Sequence, residues 1–224
     1  MTVLKGSKMR TVALIHTGSV VIEPISKTVK ELLPEVEVIN YLDDKIVAHL
    51  SNPTLAMGVP ERVANLVQAA RLAGADVAML TCSSISAVAA YAQMRGGITV
   101  LQIDQAMADQ AVSIGETVAV IATLPTTCVP TVNLVQQRAE LQGLTPTISQ
   151  EVVEGAFDAI AGGNKALHDS LVGEAIRRAA KDNDVVVLAQ ASMASAAEGI
   201  SVNVPVLTSV ESGVERLGQW LTTH

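Results

Sequence analysis

Aromatic side chains are nearly missing from this chain: 224 residues carry one Phe, one Trp and two Tyr, 2% of the total. The apolar fraction is nonetheless 49%, and Ala and Val dominate it. A sizeable core is therefore available, of the kind formed by a parallel sheet covered with Ala-rich helices. Cysteine is scarce too. Two in 224 residues exclude a disulfide framework, and neither has a Cys or His neighbour at zinc-ligand spacing. Clusters of Lys and Arg are missing, and the net charge is −7, which argues against a nucleic-acid partner. No apolar run approaches the length of a membrane span, and the N-terminal MTVLKGSKMR has no long apolar stretch before a cleavage site. A soluble, cytoplasmic protein is expected. Gly96-Gly97 and Gly162-Gly163 look like turns, and no phosphate-binding or dinucleotide glycine fingerprint is present. Neither a metal nor an organic cofactor is expected.

What is present is a repeat. Asp76 to Ala89 (DVAMLTCSSISAVA) aligns with Asp184 to Ala197 (DVVVLAQASMASAA) at five of fourteen positions, with an offset of 108. Thr11 to Ser19 (TVALIHTGS) aligns with Thr117 to Pro125 (TVAVIATLP) at five of nine, with an offset of 106. The near-constant offset points to a duplicated α/β unit. Cys82 falls opposite Gln190, so one copy has a thiol where the other has an amide.

Short β-branched runs alternate with helical patterns. Thr11–Ile15, Val36–Asn40, Val77–Leu80 and Ile98–Leu101 read as strands of one half, and Val118–Ile121, Thr147–Gln150, Val185–Leu188 and Val204–Leu207 as strands of the other. Val63, Leu66, Val67, Ala70 and Ala73 form one apolar stripe, which Gly74 is placed to stop; Leu171, Val172, Ala175, Ile176 and Ala179 form its equivalent. Pro130 suits the first turn of a helix running to Gly143. The last helix, Ser209 to Leu221, has no evident counterpart after the first repeat and is expected to pack back on the first half. The fold class is therefore α/β: two pseudo-symmetric, doubly wound parallel-sheet units with the active site in the cleft between them. The first unit is 1–102 plus 205–224, the second 103–204.

Ligands of such sheets bind at the C-terminal strand ends. The segments leaving those ends are His16-Thr17-Gly18-Ser19, Thr81-Cys82-Ser83-Ser84, Thr123-Leu124-Pro125-Thr126-Thr127 and Ala189-Gln190-Ala191-Ser192. Thr17, Ser19, Ser83, Ser84, Thr123, Thr126, Thr127 and Ser192 are the hydroxyls there. Apart from Ser192, each is a candidate donor to a substrate carboxylate, aided by helix N-terminal N–H groups. Each is equally suited to capping a helix. A thiol such as Cys82 at a helix start faces the positive end of the dipole, where a thiolate is favoured for proton transfer or for attack on carbon. A small buried core cysteine is the plain alternative. His16 ends a strand beside the cleft and is a candidate substrate contact. Cys128 reads as structural, His49 as part of a solvated loop (HLSNP), and His168 as exposed beside Asp169.

Strand, Thr-Cys-Ser, helix, then a second strand end about 108 residues later, resembles the layout of the aspartate/glutamate racemase superfamily, which includes hydantoin racemases, maleate isomerase and arylmalonate decarboxylase. The resemblance covers nearly the whole chain. ATLPTT at 122–127 looks like the second-half substrate loop, and EGAFDAIAGGNKALHD at 154–169 with VVLAQASM at 186–193 looks like the approach to the second catalytic position. The resemblance implies a small carboxylate-bearing or amino-acid-like substrate, no cofactor, Ser192 as part of the substrate site, and two cysteines on opposite faces of the reacting carbon. This chain keeps the first, Cys82, and has Gln190 at the second. Ser83 stands where glutamate racemases carry Asn, and His16-Thr17-Gly18-Ser19 replaces their Asp-Ser-Gly loop. Three functions remain open: a single-thiol isomerase, a decarboxylase, and a binding protein without turnover. The catalytic pair is Cys82 with Gln190. A homo-oligomer is the expected assembly, with no membrane partner.

Overall fold

A computed structural model describes residues 9–224, so the first eight residues of the expected first unit, including most of MTVLKGSKMR, lie outside it. The described chain runs β1 (Arg10–His16), α1 (Ile22–Leu32), β2 (Val36–Leu42), α2 (Ile46–Leu50), α3 (Pro53–Ala56), α4 (Val59–Leu72), β3 (Val77–Leu80), α5 (Ala89–Gly96), β4 (Thr99–Gln102) and α6 (Gln105–Ile114). It continues as β5 (Thr117–Ala122), α7 (Pro125–Leu141), β6 (Thr147–Val152), α8 (Ala156–Ala161), α9 (Lys165–Ala179), β7 (Val185–Leu188), α10 (Ala194–Glu198), β8 (Val206–Leu207) and α11 (Ser209–Thr223). The strands form two parallel sheets with the same order, β2-β1-β3-β4 and β6-β5-β7-β8. This is the expected two-unit α/β architecture.

Alternation along the strands divides each core in two. Val12, Leu14, Val77 and Met79 face one side of the first sheet, while Ala13, Ile15, Ala78 and Leu80 face the other. Val118, Val120, Val185 and Val187 oppose Ala119, Ile121, Val186 and Leu188 in the second. The repeat extends to single hydrogen bonds. The Asp76 carboxylate accepts from the Thr11 N–H at 2.8 Å, and the Asp184 carboxylate accepts from the Thr117 N–H at 2.9 Å. Each fastens the start of the central strand to its neighbour. Three donors on Thr117 and Glu116 hold the Asp184 carboxyl below its ordinary range.

The helices correct three expectations. First, α11 does have a counterpart, α6, and the two are exchanged. Helix α6 follows the first sheet but packs Met107, Ala108, Ala111 and Val112 into the core of the second; α11 follows the second sheet but packs Val214 and Leu217 into the core of the first. Gly213 makes the second docking possible, because a Cβ there would lie 2.3 Å from the Ile103 carbonyl oxygen. Second, β8 pairs with β7 in the second sheet, although a division at 205 puts it with the first unit. Third, Pro125 rather than Pro130 opens α7, and Pro130 sits inside the helix. Either proline fits a first turn; the interior one costs the ladder the bond to the Thr126 carbonyl.

Candidate active site

The C-terminal ends of the central strands in both sheets meet at one cavity of about 520 Å³. Four turns open there, after Gly18, Cys82, Leu124 and Gln190, and all four residues have extended backbones. Cys82 (φ −138°, ψ 123°) and Gln190 (φ −131°, ψ 137°) are superimposable in this respect, each starting a 3₁₀ turn, Ser83–Val88 and Ala191–Met193. The sequence predicts an α-helix directly after Cys82; the six-residue 3₁₀ turn intervenes, and α5 begins only at Ala89. The opening N–H groups of such turns have no partner within the turn.

Cys82 and Gln190 both line the cavity, with Thr17, Ser19, Ser83, Ser84, Thr126, Thr127 and Ser192. Cys82 is half-buried. Gln190 is held by its oxygen. The backbone N–H of Thr123 lies 2.6 Å from Oε1, and the Thr123 hydroxyl lies 3.0 Å from the same atom. A backbone N–H can only donate, so the atom it meets is the amide oxygen, and the NH₂ group is the end left over. Gln190 therefore enters the cavity wall as a donor.

The hydroxyls do not cap their helices; no side-chain cap bond forms at Gly18, Cys82, Leu124 or Gln190. Three of them join the halves instead. Ser83 Oγ donates to the Ala189 carbonyl at 2.9 Å, and Ser84 Oγ meets Thr127 Oγ1 at 3.0 Å. Ser86 and Asp104 form a pair beneath them: the Asp104 carboxylate, 1% exposed, accepts from Ser86 Oγ at 2.8 Å, and burial pushes its carboxyl above the ordinary range.

Two expected contacts lie outside the lining. Thr123 stands behind Gln190, and His16 is fully buried. His16 Nε2 is 2.8 Å from Asn40 Oδ1, and Nδ1 is 2.8 Å from Thr81 Oγ1, which also reaches the Ile15 carbonyl. Burial lowers the pKa of His16, and the bond to Asn40 opposes this in part. The ring thus ties the end of β1 to β2 and to the residue before Cys82.

Two histidines depart from expectation, and Cys128 fits it. His49 is no part of a free loop: it ends α2, and its Nδ1 meets Arg62 Nη1, while Arg62 Nε donates to Asp43 at 2.9 Å. His168 is buried, not exposed; Nδ1 meets Asp169 at 2.8 Å, and among the described residues Nε2 has no partner. It lies one turn before Val172 on the buried face of α9, which is the signal that placed it inside. Cys128 is 1% exposed, packs among the second core, and burial pushes its thiol up.

Sequence reasoning missed the outer wall. Asp44, Val47 and Ala48 come from α2 and the residues before it, Phe157, Ile160 and Ala161 from α8, and Val20 and Val21 from the turn after Gly18. Helices α2 and α8 follow equivalent strands, β2 and β6, and both line the cavity. Among the described residues no group of three His, Cys, Asp or Glu could hold a metal ion, and no helix is long and apolar enough to cross a membrane.

A sequence profile described as Asp/Glu/hydantoin racemase matches residues 15–217. No curated protein sequence matches the chain. Among solved structures, glutamate racemase from Francisella tularensis in complex with D-glutamate superimposes with a TM-score of 0.76 at 16% identity, over 96% of this chain and 82% of that one. Allantoin racemase from Klebsiella pneumoniae gives 0.67 at 18%, over 96% and 88%. Arylmalonate decarboxylase gives 0.59 at 17%, over 93% and 91%. At these identities the likeness is one of fold.

Proposed function

The chain belongs to the Asp/Glu/hydantoin racemase family, and within it we propose a cofactor-independent isomerase that acts at the α-carbon of a small carboxylic or amino-acid-like substrate, with Cys82 as its acid/base or nucleophile. The supporting observation is that one half-buried cysteine and one amide held by its oxygen line the same hydroxyl-rich cavity. In the proton-transfer form, the Cys82 thiolate takes the α-proton. The electron pair left on carbon spreads to the carboxylate oxygens. Those oxygens accept hydrogen bonds from the Gln190 NH₂ group and from N–H groups opening the turns. The planar intermediate turns over within the cavity, and the thiol delivers a proton to its other face, which inverts the configuration. Gln190 does not exchange protons near neutral pH, so its contribution is charge stabilisation and orientation.

The single thiol also favours a second reading, a lyase. If a carboxylate leaves as CO₂, the C–C electron pair passes to the remaining carboxyl and Cys82 protonates the carbon once, from one side. That requires one acid, which is what this cavity offers. A third outcome is carboxylate binding without turnover. The deciding experiment incubates the protein in D₂O with a panel of α-substituted carboxylic acids and malonic acids and follows deuterium at carbon and CO₂ release. Exchange that disappears in Cys82→Ser supports the isomerase, and Cys82-dependent CO₂ release supports the lyase. Ligand binding with neither signal would leave a binding protein and sink the catalytic reading.

A further inference from the structure

We infer that the cavity selects a substrate with one carboxylate and a branched apolar group, and rejects dicarboxylates. The inference rests on the carboxylate reading above and adds what the rest of the substrate must be.

The cavity has two chemically distinct regions. Its inner end holds Cys82, the Gln190 amide, the buried Thr17 hydroxyl and the Ser84–Thr127 pair, which keeps one proton to donate. That is donor chemistry for one carboxylate. Its outer end is bounded by Val20, Val47, Phe157 and Ile160. Val20 is 63% and Phe157 37% exposed, so these faces are bare to solvent in the unliganded protein. A volume of about 520 Å³ falls in the range of roughly 300–1,000 Å³ typical of drug-sized ligands and exceeds what a carboxylate head alone needs. The surplus space is apolar.

Charge decides against a second carboxylate. Among the described residues lining the cavity there is no Lys, Arg or His. Lys45, next to Asp44 in the chain, is exposed and outside the lining, and Arg62 is held by Asp43 on three nitrogen–oxygen contacts and by His49. The one charged residue in the lining is Asp44, a carboxylate at the rim. A second substrate carboxylate would lose water against valines, find no cation, and meet a like charge. An isopropyl group of the same shape would instead remove apolar surface from water on both sides.

The test compares two ligands of equal length and nearly equal shape, 4-methylpentanoate and succinate, which differ in whether the far end is isopropyl or carboxylate. Acetate serves as the head-group control. Affinity is read by calorimetry and by protection of Cys82 from iodoacetamide. The expected result is at least tenfold tighter binding of 4-methylpentanoate. Phe157→Ala should weaken it severalfold and leave acetate unchanged, and Asp44→Asn should narrow the gap by improving succinate alone. Succinate binding as tightly as 4-methylpentanoate would overturn the inference while leaving the carboxylate reading in place. Preference for 4-methylpentanoate with no effect of Phe157→Ala would overturn the assigned wall. Binding of none of the three, acetate included, would overturn the carboxylate reading and the selectivity with it.

Discussion

Cys82 and Gln190 occupy the same place in two copies of one unit, with the same backbone angles, yet the surroundings treat them oppositely. In the second half, Thr123 at the end of β5 clamps the Gln190 amide by its oxygen. In the first half, the corresponding strand end grips the residue before the thiol: His16 bonds Thr81, and among the described residues no protein hydrogen bond reaches Cys82 Sγ. One half holds its side chain still and the other leaves it free. A fixed amide suits a group that stabilises charge in one place, while an unbonded thiol suits one that takes and gives a proton.

The strongest challenge to that contrast is a pair of truncations. Cys82→Ala should lower deuterium exchange by about ten-thousandfold or more, whereas Gln190→Ala should cost about 100- to 1,000-fold, the scale of one lost charge-stabilising donor. Equal losses would mean that the two sides act alike. Thiol reactivity sharpens the same point. Iodoacetamide should label Cys82 at least about a hundredfold faster than Cys128, which is buried and has its thiol pushed up, as read by peptide mass mapping. Comparable rates would show that Cys82 is not the accessible thiol.

The exchanged helices allow a stability test. Gly213→Val drives a side chain into the Ile103 carbonyl and should cost about 3 kcal/mol in urea unfolding, with α11 displaced from the first core. An unchanged midpoint would show that α11 is not tightly seated. Next in size, Thr123→Val removes the hydroxyl donor to Gln190 and keeps the backbone one. It should lower exchange about 2- to 10-fold, the worth of one neutral hydrogen bond.

The smallest effect concerns pH. His16 ends β1, while the aligned position in the second half is Ala122. The folded-state pKa of His16 is lowered, chiefly by burial, so the unfolded chain binds a proton first as pH falls. Stability from this residue is complete above its unfolded pKa, about 6.5, and is lost as pH drops through the lowered folded value. His16→Asn should flatten the slope of unfolding free energy between about pH 6.5 and the acid limb. An unaltered slope would show that the histidine is not held neutral.

All eight strands were legible because β-branched runs bounded by polar turns leave little choice of element, and the C-terminal edge rule then named the loops that carry Cys82 and Gln190. Helix α6 was overlooked although Met107, Ala108, Ala111 and Val112 already trace a stripe. The outer wall left no such trace. Helices α2 and α8 are five and six residues long, too short for a period to show. His16 and Thr123 were placed in contact with substrate because strand ends were known but side-chain direction was not; burial turned both into supports.

The exchange of α6 and α11 bears on how this chain emerges from synthesis. The second sheet is preceded by its covering helix, so β5 and β7 find α6 already made. The first sheet is provided for only in part. Its Val12, Leu14, Val77 and Met79 face is covered early by Ile25 and Val29 of α1 and completed by Val214 and Leu217, which come far later in the chain. Until then part of that apolar surface stays uncovered, which makes the nascent first half a natural client for chaperones and the fifteen-residue helix Ser209–Thr223 the step that closes the first unit.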